Sequence, residues 1–218
     1  MERYPGKQLF LDDHFIESLQ GAHRVLNRPE KQTVDAPLSL PLNRPWEKGQ
    51  GHPGAVIYNE QARTFRLYYY VLVDGVWRVC ALDSTDGLHW ERPSLGLVEH
   101  NGSKHNNITN CPPDGLVIFW DPHEADEEYR WKRIDNNPTG TGPEGQRLWR
   151  AFHSRDGYDW QPYPPGPHST QKMLFNFGSP ASTFGGVINP DARYVFYSQR
   201  GSGRRTRVLG RRDSEDGL

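Results

Sequence analysis

Three residues with chemically useful side chains precede similar apolar runs in the sequence. They are His52 before Val56, Asp114 before Val117, and Thr183 before Val187. A histidine or carboxylate held beside a bound substrate can act as a general acid or base. Only one of the three positions carries a carboxylate. A reaction that needs two acids would therefore require another, and Asp35, ahead of the first run, is a candidate, as are Asp12 and Asp13.

The remaining composition predicts no metal, cofactor, nucleic-acid or membrane partner. Nine histidines show no metal-ligand spacing, and Cys80 and Cys111 form no C-x-x-C pair. With 26 basic and 27 acidic residues, the formal charge is −1, which gives no global attraction to anionic partners. The arginines from 200 to 212 form one basic cluster, and those from Arg207 to Arg212 fit the exposed positions of one outer strand. The longest apolar stretches are far shorter than the roughly 20 residues of a membrane helix.

The amino terminus lacks the basic and apolar regions of a secretory signal. We therefore expect a cytoplasmic protein if residue 1 is the true start, and an extracytoplasmic one if the true start differs. The composition, with 22 Gly, 18 Pro and 12% aromatic residues, is that of a globular chain rich in turns.

A seven-residue motif repeats along the chain. Ser84-Thr85-Asp86-Gly87-Leu88-His89-Trp90 matches the segment from Ser154 to Trp160, and a third copy begins at Ser214. In this motif the Asp carboxylate can accept backbone N–H groups, Gly allows a positive φ, and Trp opens the next strand. Because the Asp recurs in every copy, we interpret Asp86, Asp156 and Asp216 as turn residues and not as catalytic ones.

The elements between these turns are predicted to be strands. β-branched and aromatic runs alternate with Gly, Pro, Asn and Asp, and no segment carries a capped helical stripe. Four antiparallel strands repeating every 60 to 70 residues predict an all-β fold of β-propeller blades. We place the blades near residues 50–100, 110–165 and 180–218, after a leading segment 1–49, and expect an incomplete ring.

Several ordered motifs resemble one family. They are Leu9-Phe10-Leu11-Asp12-Asp13-His14-Phe15-Ile16, Arg44-Pro45-Trp46-Glu47, the segment from Asp83 to Pro93, and Lys104-His105-Asn106-Asn107-Ile108. Together they are similar to the bacterial glycoside hydrolase family 32-like proteins, related to families 43 and 32. The resemblance implies a five-bladed propeller, of which this chain would supply about three blades. The family 32 nucleophile segment is missing, and Trp120 stands where an Arg-Asp-Pro motif would have its Arg.

The resemblance also implies roles for the candidate residues. Glycoside hydrolysis uses two flanking carboxyl groups, and the propeller glycosidases place them where the innermost strands begin. Asp114 and Asp35 would then be catalytic, although a turn-capping role for Asp114 stays open. The implied substrate-binding residues are His52, Trp46, Asn107 and Thr183. Their structural alternatives are an ordinary histidine, a packed aromatic ring and a polar turn.

Two functions remain open at this point. The first is a glycoside hydrolase acting on an oligo- or polysaccharide in the central funnel. The second is a non-catalytic propeller that binds carbohydrate or protein, favoured by the missing acids at His52 and Ser182. We expect the 218 residues alone to expose an apolar flank and to show no glycosidase activity, because an open arc leaves strand edges uncovered.

Overall fold

The computed structural model describes residues 16–23, 25, 28, 42–49, 51–113, 117–135, 148–163, 171–172, 183–187, 194–202 and 206–214. For residues 135, 148–150 and those from 171 onward, only the backbone is described. The chain divides into two compact units, Met1–Pro37 and Leu38–Leu218. The described residues of the first unit form neither helix nor strand.

The second unit is built from antiparallel strands, which confirms the all-β prediction. Two short 3-10 helices, Pro45–Glu47 and Glu127–Tyr129, accompany them. The strands in chain order are β1 Gly51–Asn59, β2 Thr64–Val73, β3 Val76–Ser84, β4 Val117–Trp120, β5 Trp131–Asp135, β6 Leu148–Ser154, β7 Gln161–Pro162, β8 Gln171–Lys172, β9 Thr183–Val187, β10 Tyr194–Ser202 and β11 Thr206–Ser214. None of the helices described is long and apolar enough to cross a bilayer.

The strands form three sheets that follow one another along the chain. Sheet 1 has the order β1-β2-β3, sheet 2 the order β4-β5-β6-β7 with β8 also paired to β6, and sheet 3 the order β9-β10-β11. The first strand of sheet 1 contacts the first strand of sheet 2, which in turn contacts the first strand of sheet 3. This arrangement of successive antiparallel sheets around their first strands is propeller-like, and the described strands close no ring.

Sheet 1 buries one apolar cluster on each of its faces because the side chains of β2 alternate. Tyr68 on one face packs with Ile118, Trp131 and Trp160 of the second repeat. Tyr69 on the other face belongs to a cluster that is covered by residues outside the sheets, namely Leu42, Trp46, Trp90 and Val98. One face of sheet 1 thus joins sheet 2, and the other lies under the segments around residues 42–48 and 90–109.

The fourth strand expected in sheets 1 and 2 is very short. In sheet 2 it is the two-residue β7, and in sheet 1 it is one isolated pair between Asp83 and Glu91. Pro93 follows that pair and Pro162 ends β7. Proline has no N–H to donate to a neighbouring strand, which accounts for the short pairing before Pro93. Beyond Pro162 one further hydrogen bond follows, from Tyr163 N to Ala151 O at 3.1 Å.

A later segment of the chain continues the outer edge of sheet 1. Ala81 N donates to Asn107 O at 3.1 Å, and Thr109 N donates to Val79 O at 2.8 Å. In sheet 2, β8 pairs with β6 in a similar way. The outer edges of sheets 1 and 2 are therefore completed by residues that lead toward the next sheet. In sheet 1 this places Asn107 beside the outer edge of β3.

Candidate functional site

A surface cleft of about 130 Å³ lies beside the 3-10 helix Pro45–Glu47 and the loops that follow β3. The side chains that define it are Arg44, Trp46, Arg92, Ser94, His105 and Asn107. The sequence prediction of Trp46 and Asn107 as binding residues thus concerns two residues that the fold brings together. They are 61 positions apart in the chain, and no local pattern in the sequence pairs them.

Hydrogen bonds fix the position of Trp46 in this cleft. Its indole Nε1 donates to Asn107 Oδ1 at 2.8 Å. The amide nitrogen of the fully buried Asn107 donates to Tyr69 Oη and Ala81 O, both at 2.8 Å. Since both amide hydrogens and the oxygen have partners, Asn107 acts as a positioning residue beneath the half-buried Trp46.

Below the cleft floor, a carboxylate is buried with all of its oxygens bonded. Glu47 is fully buried and pairs with Arg92, whose Nε and Nη2 donate at 2.9 and 3.2 Å. Glu47 Oε2 also accepts the backbone N–H groups of Asn43 and Arg44 at 3.1 and 3.0 Å. A buried carboxylate is stable only when paired and hydrogen-bonded. The local sequence around Glu47 does not indicate that its partner is Arg92, 45 residues later in the chain.

The hydroxyl of Tyr69 completes this network by donating to Glu47 Oε1. Burial raises the pKa of Tyr69, and the neighbouring Cys80 and the hydrogen bond to Glu47 raise it further. Burial likewise raises the pKa of the Cys80 thiol to about 12. The tyrosine is therefore a neutral donor and the thiol is unreactive at physiological pH.

His52 lies in a different place, on the opposite face of sheet 1 from Trp46. Its ring centroid is 4.6 Å from that of Tyr70 and 5.5 Å from that of Trp77. We call these three residues the β1 aromatic cluster. His52 is exposed, whereas Tyr70 and Trp77 are half-buried. The cluster presents ring surface and a ring nitrogen at the start of the first strand.

A β-bulge gives His52 this orientation. The register between β1 and β2 shifts between Pro53 and Ala55, so that His52 pairs with Tyr70 and Ala55 with Tyr68. Residues three apart on a regular strand point to opposite faces. Here the extra residue, Gly54, puts His52 and Ala55 on the same face, toward sheet 2.

The two predicted catalytic carboxylates, Asp114 and Asp35, lie outside the described residues, as do Asp12 and Asp13. Thr183 begins β9, and only its backbone is described. Within the described part of the chain, no group of three or more His, Cys, Asp or Glu side chains is arranged to hold a metal ion.

The repeated Asp-Gly turns form the hydrogen bonds that the sequence predicts. Asp86 Oδ1 accepts the backbone N–H groups of Leu88 and His89 at 2.7 and 2.8 Å. Asp156 Oδ1 accepts those of Tyr158 and Asp159 at 2.7 and 3.0 Å. Each carboxylate is thus committed to its own turn.

The two tryptophans after these turns differ in burial. Trp160 is 3% exposed and donates from Nε1 to Gly157 O at 3.1 Å. Trp90 is only half-buried, and its buried Nε1 has no hydrogen-bond partner among the described residues. Trp160 lies in the core between sheets 1 and 2, whereas Trp90 lies on the face of sheet 1 that is covered by loops alone.

The sequence did not predict two polar clusters, one that joins sheet 1 to sheet 2 and one within sheet 2. Arg66 Nε donates to Asp83 Oδ1 at 2.8 Å, its guanidinium lies 3.6 Å from the Tyr158 ring centre, and Tyr68 Oη donates to Gly157 O at 2.7 Å. In sheet 2, the buried Lys132 pairs with Asp121 and Glu124 at 3.0 and 2.9 Å. The Asp121 carboxylate also accepts the backbone N–H of His123, so both of its oxygens are engaged in structural bonds.

Comparison with known proteins gives fold likenesses only. The sequence matches no known family model, and no curated protein matches it. Of the solved structures, one is described as belonging to "the GH130 family of mannoside phosphorylases", which "contains glycoside hydrolases that target beta-1,2 mannosidic linkages in Candida mannan". It is 16% identical with a TM-score of 0.44 over 76% of this chain and 48% of that chain. A second, a glycosyl hydrolase from Bacteroides ovatus, is 14% identical with a TM-score of 0.43 over the same shares.

The chain spans about half the length of these two structures. Both are described as glycoside hydrolases or phosphorylases, and the family named is 130. Neither description names family 32 or 43, so these comparisons do not support the finer family prediction made from the sequence.

Proposed function

We propose that this chain is part of a carbohydrate-active propeller and that its glycan lies against the β1 aromatic cluster. The observation that carries this proposal is the grouping of His52, Tyr70 and Trp77 at the start of an innermost strand. Aromatic rings offer a flat apolar surface with a polar edge, which suits the apolar face and the hydroxyl groups of a sugar. The family resemblance of the sequence supports the same class of ligand.

The bulge at Gly54 supports a binding role for this cluster. Bulges are frequent next to functional sites because they redirect a side chain. Here the bulge directs an exposed histidine onto two aromatic rings beside the first strand of the neighbouring sheet. A purely structural histidine would not require this departure from regular pairing.

Hydrolysis would need two carboxyl groups in addition to this platform. We propose Asp114 and Asp35 for these roles, one protonating the leaving oxygen and the other acting as nucleophile or base. Thr183 would contact the sugar from the start of β9. The alternative is a carbohydrate-binding propeller without catalysis, and its support is that the first-blade position holds His52 and not an acid.

The Trp77→Ala variant tests whether the β1 aromatic cluster binds glycan. A panel of oligosaccharides is screened by calorimetry against the chain, the variant, and a matched control, Tyr58→Ala. Tyr58 is an exposed aromatic residue of the same strand as His52, but it contacts Phe65 on the other face. We expect Trp77→Ala to weaken binding by about tenfold, which corresponds to about 1.4 kcal/mol, and Tyr58→Ala to leave it unchanged. Equal affinity in all three proteins would contradict the proposal that glycan binds to the β1 aromatic cluster.

Turnover assays then separate the two functions. If the protein containing this chain hydrolyses a bound glycan, Asp114→Asn and Asp35→Asn should abolish hydrolysis without weakening binding. Hydrolysis that survives both changes would exclude these acids. Binding without any turnover in the unaltered protein would favour the non-catalytic alternative.

A further inference from the structure

The cleft at Trp46 is a second site, separate from the β1 aromatic cluster, and its lining includes two arginines. Arg44, Arg92 and His105 contribute to its walls, and no carboxylate is among its lining residues. Trp46 packs on the face of sheet 1 opposite to the one that His52 contacts. A ligand in this cleft would therefore be independent of one at β1.

The buried Glu47 neutralises only one of the two arginines that line the cleft. It neutralises Arg92, with which it forms two hydrogen bonds, and its remaining contacts are the Tyr69 hydroxyl and two backbone N–H groups. The exposed Arg44 side chain adds a charge that Glu47 does not neutralise. An anionic group is the natural complement of such a lining, because charge-assisted hydrogen bonds from guanidinium groups are the strong ones.

Several side chains that line the cleft are hydrogen-bonded before any ligand binds. Asn107 holds Trp46, Glu47 holds Arg92, and Ser94 Oγ lies 2.8 Å from His105 Nδ1. Side chains that are already ordered lose little conformational freedom on binding. This pre-organisation distinguishes the cleft from an accidental surface depression.

The size and the aromatic wall of the cleft limit the ligand further. The cleft, at about 130 Å³, is smaller than the pockets of about 300–1,000 Å³ that hold drug-sized ligands. It suits one small ring and not a chain. The indole of Trp46 supplies a flat surface for that ring.

We infer that this cleft binds a single sugar acid, with its carboxylate against Arg44 and its ring against Trp46. Recognition then combines one charged contact with one aromatic contact. This inference does not depend on the proposed glycan at β1.

Calorimetry with glucuronate, glucose and acetate tests the two contacts separately. We expect glucuronate to bind at millimolar concentrations, more tightly than either glucose or acetate. If glucose binds as tightly as glucuronate, the cleft does not recognise the carboxylate. If acetate binds as tightly, the cleft does not recognise the sugar ring. Either result, or no binding of glucuronate, would overturn the inference.

Two arginine variants place the ligand in the cleft. Arg44→Gln should weaken glucuronate binding by about tenfold or more, as expected for loss of a charged hydrogen bond. Arg78→Gln, an exposed arginine of β3 outside the cleft, should leave it unchanged. Trp77→Ala should also have no effect, so that failure at β1 and failure at this cleft are separate results. Unchanged affinity in Arg44→Gln would contradict the assignment.

Discussion

The indole nitrogen of Trp46 donates a 2.8 Å hydrogen bond to the side-chain oxygen of Asn107, 61 residues away in the sequence. The same asparagine bonds to Tyr69 and to the backbone of β3. One buried amide therefore connects the segment before sheet 1, the centre of that sheet and the loop that completes its outer edge. The shape of the cleft depends on this amide.

Replacing Asn107 by alanine should destabilise the protein. The change removes three hydrogen bonds of a fully buried side chain and leaves Trp46 Nε1 and Ala81 O without this partner. Because each buried polar group left unsatisfied costs about 1–3 kcal/mol, we expect the free energy of unfolding to fall by about 2–4 kcal/mol in urea denaturation. Asn43→Ala, an exposed change in the same region, is the control and should change it little. A loss as small as that of the control would contradict the network.

Glu47 and Arg92 should behave as a coupled pair. Removal of one partner of a buried ion pair costs about 3–5 kcal/mol, since the other charge is left uncompensated. We therefore expect Glu47→Gln to lower the free energy of unfolding by about that amount, while Glu60→Gln, at an exposed site, has little effect. The double variant Glu47→Gln with Arg92→Met should lose less than the sum of the single changes. Additive losses would show that the two side chains do not interact.

Asp86 should make stability depend on acid pH. The hydrogen bond from the His89 side chain, followed by those from the backbone N–H groups of His89 and Leu88, lowers the pKa of Asp86 from its ordinary value of 3.8. The folded protein then binds fewer protons at Asp86 than the unfolded chain does. The stabilisation is therefore complete well above pH 3.8 and is lost as the pH falls below it.

The Asp86→Asn variant measures this contribution. An asparagine can still accept backbone N–H groups, so the change removes mainly the charge. We expect the difference in unfolding free energy between the unaltered protein and the variant to be largest near neutral pH and to shrink below pH 3.8. Glu60→Gln serves as the control. A difference that does not vary with pH would show that the Asp86 charge contributes nothing.

The features that sequence reasoning could predict are those whose partners are close in the chain. The turns at Asp86 and Asp156 form within three residues, and the strand runs follow from apolar periodicity. The pairing of Glu47 with Arg92 could not be predicted in this way, since it depends on how two loops cover sheet 1. The bulge at Gly54 had a signal in the Pro-Gly pair. Its consequence for His52 became visible only from the register with β2.

The turns of the first two repeats are not equivalent in their packing. Their turns have matching sequences and matching glycine conformations, with φ of +75° at Gly87 and +77° at Gly157. Yet only the second turn packs under a neighbouring sheet. A Cβ at Gly157 would meet Arg66 Nη1 and would lie 2.8 Å from Tyr68 Oη and 2.9 Å from Trp131 Cδ2, whereas at Gly87 its nearest neighbour would be the Phe65 ring at 3.6 Å.

Alanine at these two glycines should therefore separate backbone strain from packing between sheets. Gly87→Ala should cost about 1–2 kcal/mol, the penalty of a left-handed conformation for a residue with a Cβ. Gly157→Ala carries the same penalty plus overpacking against Tyr68 and Trp131, which adds about 1–3 kcal/mol. Urea denaturation of the two variants gives the difference directly. Because the turns match in sequence and in φ, equal losses would mean that the turn of sheet 2 does not pack against sheet 1.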